Sequence, residues 1–213
     1  MDDAGGLEDQ LQRSKPSFWD QRFVDGGYAY GQAPNLFLSS RVCEIPPGQA
    51  LCLAEGGGRN AVYLAERGFT VTAQDFSAEG LRLAQQLAHQ RGVELSCLQL
   101  DLSDLNPQPS SVDLVVAIWM HLPPALRATV HQRAALALRP GGHLIVVAYT
   151  PRQLQCQTGG PSTASWLLEP DQLQLDFAGF DHLVLEEVET LLDEGPAHQG
   201  VSSVVQFHAR KRR

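Results

Sequence analysis

From Pro46 onward the chain alternates between short apolar runs and longer stretches whose apolar residues recur every three or four positions. The first pattern predicts strands and the second amphipathic helices. Ala50–Ala54 reads as a strand, and Arg59–Arg67 as a helix with Ala61, Leu64 and Ala65 at helical spacing. Gly68 sits where a helix end needs a residue free to take positive φ. Phe69–Ala73 predicts the second strand, ending in Gln74-Asp75. Ser77 is placed to cap a helix that runs to about Arg91, with Leu83 and Leu87 four apart and Gly92 as its stop. Val93–Leu100 alternates into a third strand ending at Asp101. Leu114–Met120 is apolar without alternation, as expected of a strand covered on both faces. Pro123-Pro124 open a helix with Leu126, Val130, Ala134 and Ala137/Leu138 on one side. Arg139-Pro140-Gly141-Gly142 break it before a fifth strand, Leu144–Tyr149.

This order predicts an α/β fold, a doubly wound Rossmann-like parallel sheet with right-handed crossovers. Beyond Tyr149 the character changes. A polar loop (Gln153–Ser165) and a short helix (about Glu169–Phe177) precede two longer strands, about Asp181–Leu191 and Val201–Ala209. Their short connection makes them antiparallel. The chain thus divides into a flexible tail, 1–16, and a single domain, 17–213. Within the domain lie an aromatic N-terminal lid (17–41), a ligand-binding core (49–150) and a C-terminal helix and hairpin (151–213). The closing Lys211-Arg212-Arg213 reads as a solvated tail.

Composition narrows the partners. An apolar fraction of 43% suffices for a core, and 19% charged residues are too few for a disordered chain. A net charge of −8 offers no basic field for nucleic-acid phosphates or anionic lipid, so neither is expected as a partner. No apolar run approaches the ~20 residues that span a bilayer. The acidic N-terminus lacks the apolar stretch of a secretory signal, which points to the cytoplasm. Cys43, Cys52, Cys97 and Cys156 are widely spaced with no CxxC pair, which predicts buried reduced thiols and no metal site.

Parallel sheets bind ligands beyond the carboxyl ends of their strands. Three features fall there: the glycine loop Ala54-Glu55-Gly56-Gly57-Gly58, then Asp75-Phe76, then Asp101-Leu102. Gly56, Gly58 and Ala61 satisfy G-x-G-x-x-G/A, so a nicotinamide dinucleotide is formally allowed. However, only a helix and a hairpin follow the fifth strand, which leaves no second mononucleotide-binding half. Glu55 in the glycine loop would repel a pyrophosphate but suits an ammonium and a sulfonium. Asp75 can accept from two ribose hydroxyls, Asp101 with Leu102 can read and cover adenine, and Phe76 can pack on the adenosine. A positively charged, phosphate-free adenosine cofactor fits this set better.

Leu51–Ala65 (LCLAEGGGRNAVYLA), Val71–Ser77 (VTAQDFS) and Leu138–Leu144 (LRPGGHL) resemble the class I S-adenosylmethionine-dependent methyltransferases. Five further segments resemble the branch that contains the tellurite-resistance methyltransferase and related small-molecule enzymes. They are Trp19-Asp20-x-Arg22-Phe23, Tyr30-Gly31-x-x-Pro34-Asn35, Gly58-Arg59-Asn60-Ala61, Met120-His121-Leu122-Pro123 and Glu194-Gly195-x-x-His198-x-Gly200. The resemblance extends over about residues 17–211. It implies a seven-stranded sheet with the last strand antiparallel. It also implies S-adenosyl-L-methionine as cofactor, S-adenosyl-L-homocysteine as product, and a small-molecule methyl acceptor. A soft thiol, selenium or tellurium nucleophile is the leading acceptor class.

In such an enzyme Gly56 and Gly58 let the backbone approach the methionine moiety. Trp19, Tyr28, Tyr30 and Phe37 are candidates for an aromatic lid, with Tyr30 the one chosen to touch the cofactor. Trp119 and His121 lie beside the methyl donor, and the branch resemblance implies that His198 orients or protonates an anionic substrate. His121 and His198 are therefore the candidate catalytic residues. Arg59 could steer an oxyanion or cap the local network. The sequence departs from the family pattern at Cys52, where an acidic residue is usual, and at Ala54, where glycine is usual. It also carries Gln199 where the tellurite-resistance enzymes have a basic residue. Two other readings stand beside this one. A nicotinamide-dependent oxidoreductase of minimal size needs a Tyr/Lys or Ser/Tyr pair near the sheet, and a non-catalytic S-adenosylmethionine-binding module is kept open by Cys52 and Ala54.

Overall fold

The computed structural model describes residues 4–156 and 158–213. The unalternating apolar run lies mid-sheet, as its composition demands. It forms β4 (Val112–Ile118), paired in parallel with β1 (Gln49–Leu53) on one side and β5 (Leu138–Tyr149) on the other. Leu114, Val116 and Ile118 point into one apolar cluster, while Val115 and Ala117 point into another on the opposite face. That two-sided burial is why no polar residue interrupts the run.

Outward from β1 come β2 (Thr70–Asp75) and β3 (Ser96–Gln99), both parallel. At the other edge β7 (Gln199–Lys211) inserts antiparallel between β5 and β6 (Phe180–Asp193). The full order is β3-β2-β1-β4-β5-β7-β6, seven strands with the last one antiparallel to its neighbours, as the resemblance implied. The order reverses direction between β1 and β4, which opens the crevice at their carboxyl ends.

The helices are α1 (Ala4–Arg13), α2 (Pro16–Gly26), α3 (Leu36–Val42), α4 (Arg59–Glu66), α5 (Ala78–Arg91), α6 (Pro124–Ala137) and α7 (Pro170–Asp176). Ser77 caps α5 by accepting from the Gly80 N–H at 3.0 Å, and Gly92 ends it at φ +69°. No helix among the described residues is long and apolar enough to cross a membrane.

Several expectations need correction. Residues 4–13 form α1 rather than a flexible tail. This helix lies against the 160–163 loop, where Gln10 donates to the Thr163 hydroxyl at 3.0 Å and Asp9 accepts from the Ser162 N–H at 3.1 Å. Its partner is polar, so no apolar stripe announces it. Arg139–Gly142 do not break the chain before the fifth strand. Val112 already pairs with Leu138, and the ladder resumes at Leu114 and His143 after a bulge that Gly141 turns at φ +84°.

Phe37 packs into the core from α3 and belongs to no lid. Lys211 is not a solvated tail residue: its Nζ donates to the carbonyls of Ala135 and Leu138 at 2.7 and 2.8 Å, closing the last turn of α6. All four cysteines are free, but Cys52 alone is fully buried, and Cys43 is exposed.

Candidate active site

A cavity of about 240 Å³ opens at the carboxyl ends of β1, β2 and β4. Two non-glycine residues beside it hold positive φ, Ala54 at 50° after β1 and Trp119 at 62° after β4. Such backbone costs roughly 1–3 kcal/mol and persists only where neighbours fix it. Here the Ala54 N–H donates to the Gln74 side chain at 3.0 Å, and the Trp119 N–H donates to the Val147 carbonyl at 2.8 Å. Both chain reversals turn the following side chains toward the opening.

At one end of the cavity stand the carboxylates. Asp75 is buried and binds both sides of the crevice: Oδ2 accepts from the Gly56 N–H and Oδ1 from the Ser77 N–H, each at 2.8 Å. Burial pushes its pKa up to about 6, against the pull of those N–H groups. Glu55 accepts from the N–H groups of Asn60 and Ala61 at 2.9 and 2.8 Å, and burial raises its pKa to about 7. Its carboxylate therefore occupies the N-terminus of α4, where the pyrophosphate of a dinucleotide would have to sit. That placement removes the physical basis of the nicotinamide reading. Asp101 opens a single 3-10 turn, Leu102–Asp104, by accepting from the Ser103 N–H at 2.8 Å, and Leu102 and Phe76 line the same end.

The two glycines expected to face the methionine moiety separate. Gly56 lines the cavity at φ +61°, and a Cβ there would lie 2.8 Å from the Phe23 ring. Gly58 does not line it. Its φ is +85° and a Cβ would lie 2.5 Å from that of Ala84, so Gly58 serves the close packing of α4 on α5. Gly57 is the neighbour that faces the cavity instead.

The other end is aromatic: Tyr30, Trp119, Tyr149 and His198 share it, with His121 against Tyr149. The His198 ring meets Trp119 edge-on at 4.6 Å between centroids and Tyr30 edge-on at 4.9 Å. Trp119 lies over Tyr149 at 4.5 Å. Of the other lid candidates, Trp19 and Tyr28 also line the cavity; Trp19 donates to the Arg13 carbonyl and Tyr28 to the Leu83 carbonyl.

His121 is not placed to act as a base. Its Nδ1 bonds the Trp119 carbonyl at 3.1 Å and its Nε2 accepts from the Tyr149 N–H at 3.0 Å, so the neutral tautomer with the proton on Nδ1 is fixed and both nitrogens are engaged. Burial lowers its pKa to about 4. His198 is 5% exposed, with Nδ1 buried and unpartnered among the described residues, and burial lowers its pKa to about 3.

Arg59 steers nothing from its place. Its guanidinium bonds the Glu194 carboxylate at 2.6 Å, with both side chains almost fully buried. Glu194 also accepts from Asn35 Nδ2 at 2.8 Å and from Trp119 Nε1 at 3.1 Å. Three segments far apart in sequence meet on this one carboxylate. The 29–35 turn and the β6–β7 connection touch so closely that a Cβ on Gly195 would lie 2.5 Å from the Gly31 nitrogen. Glu194, Asn35 and Tyr149 are site residues that sequence reasoning passed over. The first two stood inside quoted motifs, and Tyr149 ended a strand, yet nothing local showed that they converge.

The donor set suits a cationic adenosine ligand. Asp75, Asp101 and Glu55 face a cavity that no lysine lines among the described residues, and aromatic faces cover the far end. Residues 50–142 match a family model described as a methyltransferase domain. No curated protein matches the chain. Among solved structures the fold is similar to that of TehB from Haemophilus influenzae, with a TM-score of 0.71 at 18% identity over 91% of this chain and 67% of that one. It is also similar to the structure described for conversion of a disulfide bond into a thioacetal group during echinomycin biosynthesis (TM-score 0.71, 17% identity, 87% of this chain and 84% of that one). A third is an S-adenosylmethionine-dependent methyltransferase from Methanosarcina mazei, with a TM-score of 0.63 at 20% identity over 77% and 92% of the two chains.

Proposed function

We propose that this chain, which carries a methyltransferase domain over residues 50–142, is a class I S-adenosylmethionine-dependent methyltransferase whose methyl acceptor is a small molecule with a soft nucleophilic atom. That atom is a thiol sulfur, a selenium or a tellurium centre. The carrying observation is that no histidine or tyrosine of the aromatic end takes a proton near neutral pH, while Glu55, near 7, is held at the α4 N-terminus by the Asn60 and Ala61 N–H groups. His121 has both nitrogens engaged and a pKa near 4, and His198 is lowered to about 3. Burial raises the Tyr30 and Tyr149 hydroxyls instead. An oxygen or nitrogen acceptor that must lose a proton needs a base poised near the working pH. A thiol, with an ordinary pKa of ~8.5, brings its own thiolate fraction and needs none. The fold likeness to the structure from echinomycin biosynthesis, where the reaction is one of sulfur, supports the same reading.

Bound S-adenosylmethionine supplies a methyl group made electrophilic by its sulfonium. Asp75 accepts from the ribose hydroxyls with the lone pairs its backbone partners leave free. Asp101 accepts from the adenine amine, Leu102 and Phe76 cover the ring, and Glu55 places negative charge near the ammonium and sulfonium. Tyr30 and Trp119 offer ring faces to the sulfonium, an attraction worth ~0.5–2 kcal/mol. Charge cancels as the nucleophile meets the methyl, so alignment and exclusion of water matter more than charge stabilisation.

Release of S-adenosylhomocysteine with a panel of thiols, selenite, tellurite, phenols and amines tests this. Turnover of at least one soft acceptor is expected, with a rate that follows the acceptor's own ionisation as pH changes. Faster turnover of a phenol or an amine defeats the proposal.

A further inference from the structure

The aromatic end presents almost no polarity. Tyr30 Oη accepts from Arg22 Nε at 2.6 Å, and Trp119 Nε1 is spent on Glu194. Both His121 nitrogens are bonded, and Tyr149 Oη and His198 Nδ1 are buried out of contact. Neither nitrogen of His198 has a partner among the described residues, Nδ1 being the buried one, and burial keeps the ring neutral at working pH. Arg22, whose guanidinium rests on the Tyr30 ring and has no carboxylate partner among the described residues, stands outside the cavity lining, and the positive charges within the lining are spent. Arg59 is neutralised by Glu194 at 2.6 Å, and Arg13 pairs with Asp9 at 2.7 Å while donating to the Gly160 carbonyl. These two are the arginines that line the cavity among the described residues.

From this we infer that the acceptor is an uncharged, apolar organic thiol or selenol, not an inorganic oxyanion and not a thiol bearing a carboxylate or sulfonate. The inference rests on the soft-acceptor reading above and narrows it. The thiol loses its proton to bulk water before entry, and the thiolate carries one negative charge, which the donor's sulfonium cancels. The sulfur lone pair forms the new S–CH3 bond, and the donor's S–CH3 bond breaks with its electron pair remaining on the departing thioether. A second negative charge on the acceptor meets ring carbon and paired arginines, and must shed its water without a partner. Tellurite and selenite, whose several oxygens each need a donor, find only the neutral His198 ring and the Tyr30 hydroxyl.

Matched acceptor pairs test this on the wild-type protein with S-adenosylmethionine: benzenethiol against para-mercaptobenzoate, and ethanethiol against mercaptoacetate, with tellurite and selenite alongside. The uncharged member of each pair is expected to have a kcat/KM at least about tenfold higher, the loss typical of a buried charge left unpaired. Neither oxyanion is expected to turn over. Equal kcat/KM within the pairs, or turnover of tellurite, overturns the inference while leaving the soft-acceptor reading intact. If no thiol or oxyanion is methylated although calorimetry shows S-adenosylmethionine bound, both fall together.

Discussion

Asp75 joins the glycine loop to α5 through two backbone N–H groups, and the same carboxylate faces the cavity. Its pKa of about 6, and that of Glu55 near 7, are raised by burial. A carboxylate raised above its ordinary value holds its proton longer in the folded state. Its contribution to stability is therefore greatest at low pH and is lost as pH rises to the folded pKa. A bound cation reverses that cost, because it favours the ionised forms. The rise in Tm caused by S-adenosylmethionine should therefore grow as pH increases from about 5, most steeply below the Asp75 value of about 6 where both carboxyls are still protonated in the free protein, and level off above the Glu55 value of about 7. Asp75→Asn should weaken S-adenosylmethionine binding by roughly 10–100-fold, as loss of a charged hydrogen-bond acceptor does, and flatten the lower part of that rise. Scanning calorimetry across pH reads both, and a Tm increment independent of pH contradicts the placement. At this scale the sequence was a good guide to residue type but a poor one to state. His121 was visible at a strand end, yet its two hydrogen bonds make it a fixed strut between Trp119 and Tyr149.

Among the elements, α4 and α5 pack through the cluster of Val62 with Leu87 and Ala88 and approach closely where Gly58, the N-cap of α4, meets Ala84. Gly58→Ala adds a Cβ at positive φ against backbone and side-chain atoms nearer than 3 Å, so a destabilisation of about 2–4 kcal/mol is expected by urea unfolding. Adding Ala84→Gly should recover part of it by removing the nearer contact, which a defect in ligand binding alone would not do. Strands and helices of the sheet region were legible because their periods are local and their caps are single residues such as Ser77 and Gly92. The elements that were misread lack such signals. α1 binds a polar loop, and the first residues of β5 hide under a Pro-Gly-Gly run that a bulge absorbs.

For the molecule as a whole, the Arg59–Glu194 pair ties the α4 N-terminus to the β6–β7 connection, with Asn35 and Trp119 on the same carboxylate. Removing one partner of a buried pair leaves the other uncompensated, at a cost of about 3–5 kcal/mol. Glu194→Ala and Arg59→Ala should each approach that loss. The double variant should lose clearly less than their sum, a coupling that unfolding of the four proteins of the cycle measures. Strict additivity shows the two groups to be independent. The sequence alone determined the order of strands and helices from β1 onward, the doubly wound sheet and the carboxylates at its strand ends, because side-chain period and glycine's backbone freedom act over a few residues. Only the tertiary structure decided that Glu55 fills its own helix terminus, that Gly58 faces a helix, and that Arg59 is neutralised by a residue 135 positions away. The partner of a buried charge is chosen by proximity in space, and no local pattern of residues records it.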